Sequence, residues 1–517
     1  MSRGMVTCPH ALASAAGVDA LRAGGSAVDA AIAAAAVLGV VYPHMCGIGG
    51  DAFWLIYDAS EARVAYLEGG GRAAASARLE RFHGQREIPF RGIVPATLTT
   101  PGAVASFCEA HARYGRLPLG RCLDAAIHYA RDGYPVTERL ARWISATEAE
   151  LAQDAGAAAL FLGARTKLTN PALARTFEAI AAQGRAGYYE GEVAAALARF
   201  SAERGGFFGA ADLAAQRASW GEPISGTYRG VTIYETPAPT QGFTVLEMLN
   251  LVEPLDLGPY QGADHVHLLV QAKQLAYHDR DRWLADPRFA DVPVARLVSK
   301  AYASARRKLV DRERALAWDQ VPQSRLTGDT VYVAVVDAEG NAASLIFSLY
   351  GVFGACVTDP ATGVVLQNRS AYFSLDPAHP NRLEPGKVPI HTLIASLAFK
   401  NQKLWAALGC MGADGQPQIH LQAYVAMIDY GRDIQQAVAA PRWLSGRFAL
   451  GEARDTLHIE SRFPRDTIEE LARRGHRLDR WAEWNELAGH AHGITIDEAG
   501  TLAGGYDPRS DGAVLSG

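Results

Sequence analysis

The run Leu326 to Leu345, LTGDTVYVAVVDAEGNAASL, constrains the fold of this chain more than any other stretch. Thr330 to Val336 are β-branched or aromatic at every place but Ala334, Asp337-Ala-Glu-Gly340-Asn341 supplies turn residues, and Ala342 to Phe347 continues as a second strand; the pattern predicts a buried hairpin. A polar, flexible Thr327-Gly328-Asp329 leads into it. A cut between Asp329 and Thr330 would leave a threonine with both a hydroxyl nucleophile and a free α-amine. An α-amine, with a pKa of about 7.7–8.0, can act as base for that hydroxyl. On residue chemistry alone, a threonine opening a strand is ordinary.

The longer run DTVYVAVVDAEGNAASLIFSLYGVFGACV, followed by TGVVLQNRSAYFS, resembles the start of the small subunit of γ-glutamyltranspeptidases. These are N-terminal-nucleophile hydrolases, made as one precursor that cuts itself before a threonine. The resemblance extends over almost the whole chain. It takes in ALASAAGVDALRAGGSAVDAAIAAAAVLGVV, which predicts a helix pair: Gly25 can close the first helix, Ser26 can cap the second, and the second is apolar nearly all round and so buried. It also takes in Thr100-Pro101-Gly102, the ARDG segment ending at Gly133, and the closing GGYDPRSDG.

The resemblance implies an α+β fold, a four-layer αββα sandwich of the N-terminal-nucleophile hydrolase type. It also implies self-cleavage into a large chain, 1–329, and a small chain, 330–517, which together make one composite domain. The product would be an αβ heterodimer, alone or paired as (αβ)2, needing no cofactor and no metal.

Composition is consistent with this and excludes other classes. Charged residues are 20% of the chain and the net charge is −5, with no basic stripe for nucleic acid. The N-terminus MSRGMVTCPH has no apolar segment of a secretory signal, and the longest apolar run, Ala30 to Val41, is too short to span a bilayer. Together these predict a cytoplasmic protein without a membrane anchor, whereas many of the resembled transpeptidases are exported or anchored. Gly47-Ile-Gly49-Gly50 is followed by a strand and not by a GK[ST] helix, so close backbone packing is expected there rather than a nucleotide. His265 and His267 stand two apart on a predicted helix and point differently, which argues against a metal pair. The six cysteines show no zinc spacing and read as reduced packing residues.

Site residues follow from the resemblance position by position. Thr330 would be the nucleophile and, through its α-amine, its own base, with processing between Asp329 and Thr330. The N–H groups of Gly412 and Ala413 would form the oxyanion hole. Substrate contacts would come from Arg72 on the Glu68-Gly-Gly-Gly71 loop, Ser348, Tyr350, Arg369, Tyr372, His391 and Thr392. Here the chain departs from the transpeptidases: the arginine that grips the α-carboxylate is displaced about two places, a Ser-Ser pair becomes His391-Thr392, and an aspartate that holds the α-amine becomes Tyr372. Losing that anion while gaining Arg369 predicts a small acid amide that carries a carboxylate but no α-amine. The family has such branches, oxamate amidohydrolases (giving oxalate and ammonia) and acylases for glutaryl-type side chains. The alternatives are a γ-glutamyl hydrolase or transpeptidase acting on glutathione-like compounds, and, in another class, a non-catalytic binding relative.

Overall fold

The computed structural model describes residues 4–164, 166–316, 328–448 and 453–517. Helices and strands are both abundant, giving an α+β fold. The predicted hairpin is its centre: Asp329–Asp337 and Ala342–Tyr350 pair antiparallel, and every residue of both strands is buried. A run this apolar cannot alternate with a wet face, so both faces of the hairpin must be covered.

Around the hairpin a seven-stranded sheet runs Ala513–Ser516, Gly4–Cys8, Asp329–Asp337, Ala342–Tyr350, Asp51–Asp58, Arg63–Gly69 and Ser219–Gly221. A six-stranded sheet runs Leu502–Gly505, Ala491–Ile496, Lys403–Cys410, Ala395–Lys400, Val231–Glu235 and Ile224–Tyr228. One apolar cluster joins the two sheets, with Phe53, Tyr332 and Ile346 from the first against Ala395, Leu397 and Ala407 from the second. Gly409 allows this approach, because a Cβ there would lie 2.3 Å from the Tyr332 ring. The opposite face of the first sheet, through Val331, Val333 and Phe347, packs on helices that include Ala27–Val41. The outer face of the second, through Ile233 and Leu408, packs on Phe243–Val252, Ala263–Trp283 and Gln416–Asp429.

The helix pair forms as predicted, over Ala11–Arg22 and Ala27–Val41. Ser26 and Asp29 form a reciprocal capping box on the second helix, and all fifteen of its residues are buried. The first closes differently: Gly24, at φ 88°, takes the left-handed position expected of Gly25, whose N–H instead reaches Ala20. Among the described residues, no helix is long and apolar enough to cross a membrane.

The closing DPRS segment is held by buried charge. Asp507 pairs with Arg442 at 2.9 Å and Arg509 at 3.0 Å, and Arg509 also meets Glu460. Burial would push the Asp507 carboxyl up, but the two guanidiniums outweigh it and hold it well below the usual carboxylate range. A carboxyl depressed in the fold stabilises fully above its unfolded pKa of about 3.9, and that contribution is lost as pH falls below it. Asp507→Asn strands part of this charge and is expected to cost about 3–5 kcal/mol in urea unfolding at neutral pH. The difference from the unaltered protein should shrink on acidification.

Candidate active site

Thr330 is the second residue of its strand, and a bulge in the partner strand builds its surroundings. Phe347 pairs with Val331, but Tyr350 pairs with Asp329, so Ser348 and Leu349 together stand opposite Thr330. Tyr350 takes up the bulge at φ 79°. Gly50 fits against it only because it lacks a Cβ, which would come 2.1 Å from the Ser348 carbonyl oxygen.

The bulge gathers four hydrogen bonds on one hydroxyl. Ser348 Oγ accepts from Thr330 Oγ1 (3.2 Å), Tyr350 N (2.7 Å) and Arg369 Nη2 (3.3 Å). With its own proton it donates to the carbonyl oxygen of Asp329, 2.5 Å away. That carbonyl belongs to the peptide bond before Thr330. Gln416, first residue of the helix Gln416–Asp429, donates from Nε2 to Thr330 Oγ1 at 3.4 Å.

Arg369 opens a 3-10 turn, Arg369–Tyr372, and is completely buried. Besides Ser348 it donates from Nη1 to Thr392 Oγ1 at 3.0 Å, and its guanidinium lies 4.5 Å from the centre of the Tyr350 ring. Its Nε has no hydrogen-bond partner, and among the described residues no carboxylate forms an ion pair with it. Burial lowers its pKa, with Asp51 the largest opposing influence. A buried cation in this condition is costly unless an anion completes it.

The Tyr372 ring packs tilted against Tyr350, with ring centres 4.8 Å apart, and its hydroxyl donates to Asp414 Oδ1 at 2.6 Å. Asp414 is itself buried and paired with Arg280 at 2.9 Å. Sequence comparison predicted that this corner of the pocket had no anion. The fold supplies one from a loop 42 residues away, already neutralised by Arg280.

Among the described hydrogen bonds, none joins His391 to Thr330. The His391 Nε2 meets Asp51 Oδ2 at 2.9 Å, while Asp51 Oδ1 accepts from Gly71 N, Gly102 N and Gln367 Nε2. Asp51 therefore ties the glycine loop, the Pro-Gly turn and the segment leading into the 3-10 turn of Arg369 together, a role unnoticed in the sequence. Arg72 is not among the gathered residues. Its backbone runs on past Asp51, and its charged neighbours are Glu68, Asp286 and Arg288.

The strand Lys403–Cys410 ends before Gly412, at φ 149°, and Ala413, at φ 46°. Neither N–H is taken up by a turn or loop hydrogen bond among the described residues. Gly328 packs here, where an added Cβ would lie 2.9 Å from that of Ala413. Two cavities adjoin. One, of about 270 Å³, is lined by Gly328, Asp329, Phe90, Trp143, Met411 and Phe448; burial in it pushes the Asp329 carboxyl up to about 8. The other, of about 440 Å³, is lined by Tyr372, Asp414, Arg280, Asp281 and Arg447, among others. Among the described residues, one group has ligand atoms close enough for a metal: Asp29, His111 and Cys122, on the outer helices, where Asp29 already serves as a cap.

These groups can perform acyl transfer from an amide. Residues 13–517 match the family model described as Gamma-glutamyltranspeptidase, and the chain belongs to that family, as one of its hydrolases. It is 40% identical over 522 residues to the Glutathione hydrolase-like YwrD proenzyme of Bacillus subtilis, covering 99% of this chain and 98% of the relative. It is 38% identical over 524 residues to the Oxamate amidohydrolase proenzyme of Klebsiella pneumoniae, covering 99% and 98%. The crystal structure of cephalosporin acylase from Bacillus halodurans superposes with a TM-score of 0.92 at 37% identity, covering 99% of this chain and 96% of the other.

Proposed function

We propose that this chain is a self-processing N-terminal-threonine amidohydrolase that cleaves the amide of a small substrate bearing a carboxylate, oxamate being the first choice. The observation that carries the substrate class is Arg369: a fully buried guanidinium linked to the Thr330 hydroxyl through Ser348, ion-paired with no carboxylate among the described residues. A substrate carboxylate would complete it.

Self-cleavage starts with attack of Thr330 Oγ1 on the Asp329 carbonyl carbon. The Ser348 hydroxyl steadies the oxygen as it gains charge. The C–N bond breaks as the threonine nitrogen takes a proton, and water hydrolyses the resulting ester, leaving chains 1–329 and 330–517. In turnover the α-amine takes the hydroxyl proton and passes it to the leaving nitrogen. The N–H groups of Gly412 and Ala413 receive the substrate oxyanion, and water releases the acid. With helices on the outside and two facing sheets within, the architecture reads as a four-layer αββα sandwich.

The reading is tested by assaying the processed enzyme on oxamate, a glutaryl amide and a γ-glutamyl anilide side by side. Carboxylate amides without an α-amine should lead in kcat/KM by at least about tenfold. A tenfold preference for the γ-glutamyl compound would overturn the substrate reading. The name of the YwrD relative makes γ-glutamyl hydrolysis the second reading.

A further inference from the structure

Three helices bring a carboxylate, an imidazole and a thiol together at the end of the molecule where the central hairpin turns. Asp29 stands in the first turn of Ala27–Val41, His111 in the last turn of Ala103–Tyr114, and Cys122 in Leu119–Asp132. Asp29 and Cys122 are buried, while the His111 side chain is 21% exposed and gives a small ion a way in. Their spacing along the chain shows no metal pattern, because each residue comes from a different helix.

The two carboxylate oxygens of Asp29 have different partners. Oδ2 closes the helix cap and accepts from Ser26 N (2.9 Å), Ser26 Oγ (3.2 Å), Arg116 N (2.8 Å) and Leu117 N (3.2 Å). Oδ1 is left to the other two groups, with Cys122 Sγ donating from 3.6 Å and His111 Nε2 at 3.7 Å. Hydrogen bonds that hold one oxygen and present the other are how an outer shell orients a monodentate metal ligand. The separations also suit a metal. Zinc bonds of about 2.0–2.3 Å at tetrahedral angles place neighbouring oxygen, nitrogen and sulfur ligands about 3.4–3.6 Å apart. Both distances from Asp29 Oδ1 lie close to that range, and the three ligand atoms are all within 4.8 Å of one another.

We propose that Asp29 Oδ1, His111 Nε2 and Cys122 Sγ form a structural site for a tetrahedral divalent metal, Zn²⁺ being the cation that suits a mixed oxygen, nitrogen and sulfur set. The Leu117 carbonyl oxygen, which accepts from His111 Nε2 at 2.7 Å, becomes the fourth ligand once that separation opens by roughly 0.7 Å. On binding, the Cys122 thiol gives its proton to solvent as the metal-sulfur bond forms, and the His111 ring proton passes from Nε2 to Nδ1. Thiolate and carboxylate then balance the dication, so the buried site carries no net charge. The metal would fasten three helices at the start of the one that backs the hairpin, where Ala27 N also donates to Asp337 Oδ2 at 3.1 Å. None of these residues belongs to the pocket around Thr330, so the site stands or falls apart from the amidase reading.

The test titrates chelator-treated, full-length protein with Co²⁺, a spectroscopic stand-in for zinc, and then with Zn²⁺. A thiolate-to-cobalt charge-transfer band with tetrahedral d-d absorption should saturate at one Co²⁺ per chain, and Zn²⁺ should bleach both. Cys122→Ala should abolish the band and weaken Zn²⁺ binding on the order of 100-fold. Cys108→Ala, which alters another thiol on the helix of His111, should leave both as they were. Saturating Zn²⁺ should raise the melting temperature of the unaltered protein and not that of Cys122→Ala. His111→Ala, at a partly exposed position, should weaken Zn²⁺ binding at least about tenfold and serves as the test should Cys122→Ala not fold. The absence of a charge-transfer band in the unaltered protein, or a band that survives Cys122→Ala, overturns the proposal. So does His111→Ala binding Zn²⁺ as tightly as the unaltered protein.

Discussion

Thr330→Ala is expected to run as one 517-residue chain and to hydrolyse no amide, while the unaltered protein resolves into two chains, the smaller beginning TVYVAVVD. Both results follow from placing attack on Asp329 and attack on substrate at the same hydroxyl. The loss in kcat should be on the order of 10⁴-fold or more, as when a nucleophile that works as a unit with its base is removed. N-terminal sequencing and intact mass read the first result directly. An intact single chain of unaltered sequence with full activity would sink the proposal. A binding relative without chemistry would neither cut before Thr330 nor lose ligand affinity in Thr330→Ala.

Arg369→Met has the second largest expected effect, and it separates binding from stability. Leaving a substrate carboxylate buried without its cation should cost about 2–5 kcal/mol, or roughly 30-fold and upward in kcat/KM, for a carboxylate-bearing amide. The folded protein should not suffer equally. The side chain removed is a desolvated charge with an unpartnered Nε, and a methionine of similar length fills its place, so thermal stability should hold or rise. A variant that loses stability and keeps its kcat/KM would show that Arg369 is part of the scaffold and receives no substrate anion.

How much of this could be read from the sequence depends on how local each cause is. The hairpin was legible because a run such as TVYVAVV has few other ways to be buried, and the cap at Ser26 because its partner Asp29 lies three residues on. The bulge opposite Thr330 was not legible, since nothing in SLYGV marks which residue will be left over when Tyr350 pairs with Asp329. Asp51, Arg280 and Asp414 escaped notice for a related reason: each acts through a partner far along the chain, and only the fold makes them neighbours. Arg72 shows the converse. A cation on a glycine loop is a fair candidate from sequence, but the loop carries it to Glu68 and Asp286 instead.

The strand order has a consequence of another kind. In the first sheet, Gly4–Cys8 lies between Ala513–Ser516 and Asp329–Asp337, and in the second, Val231–Glu235 borders Ala395–Lys400. A cut before Thr330 would therefore change the covalent connectivity and leave the architecture as it was, with neither of the two large sheets belonging to one piece alone. What it would alter is the kinetic order of assembly. The uncut chain can fold alone at any dilution, whereas the two pieces, once unfolded, would have to find each other at a rate set by concentration. The cut would give the molecule a history: a shape reached as one chain and kept as two.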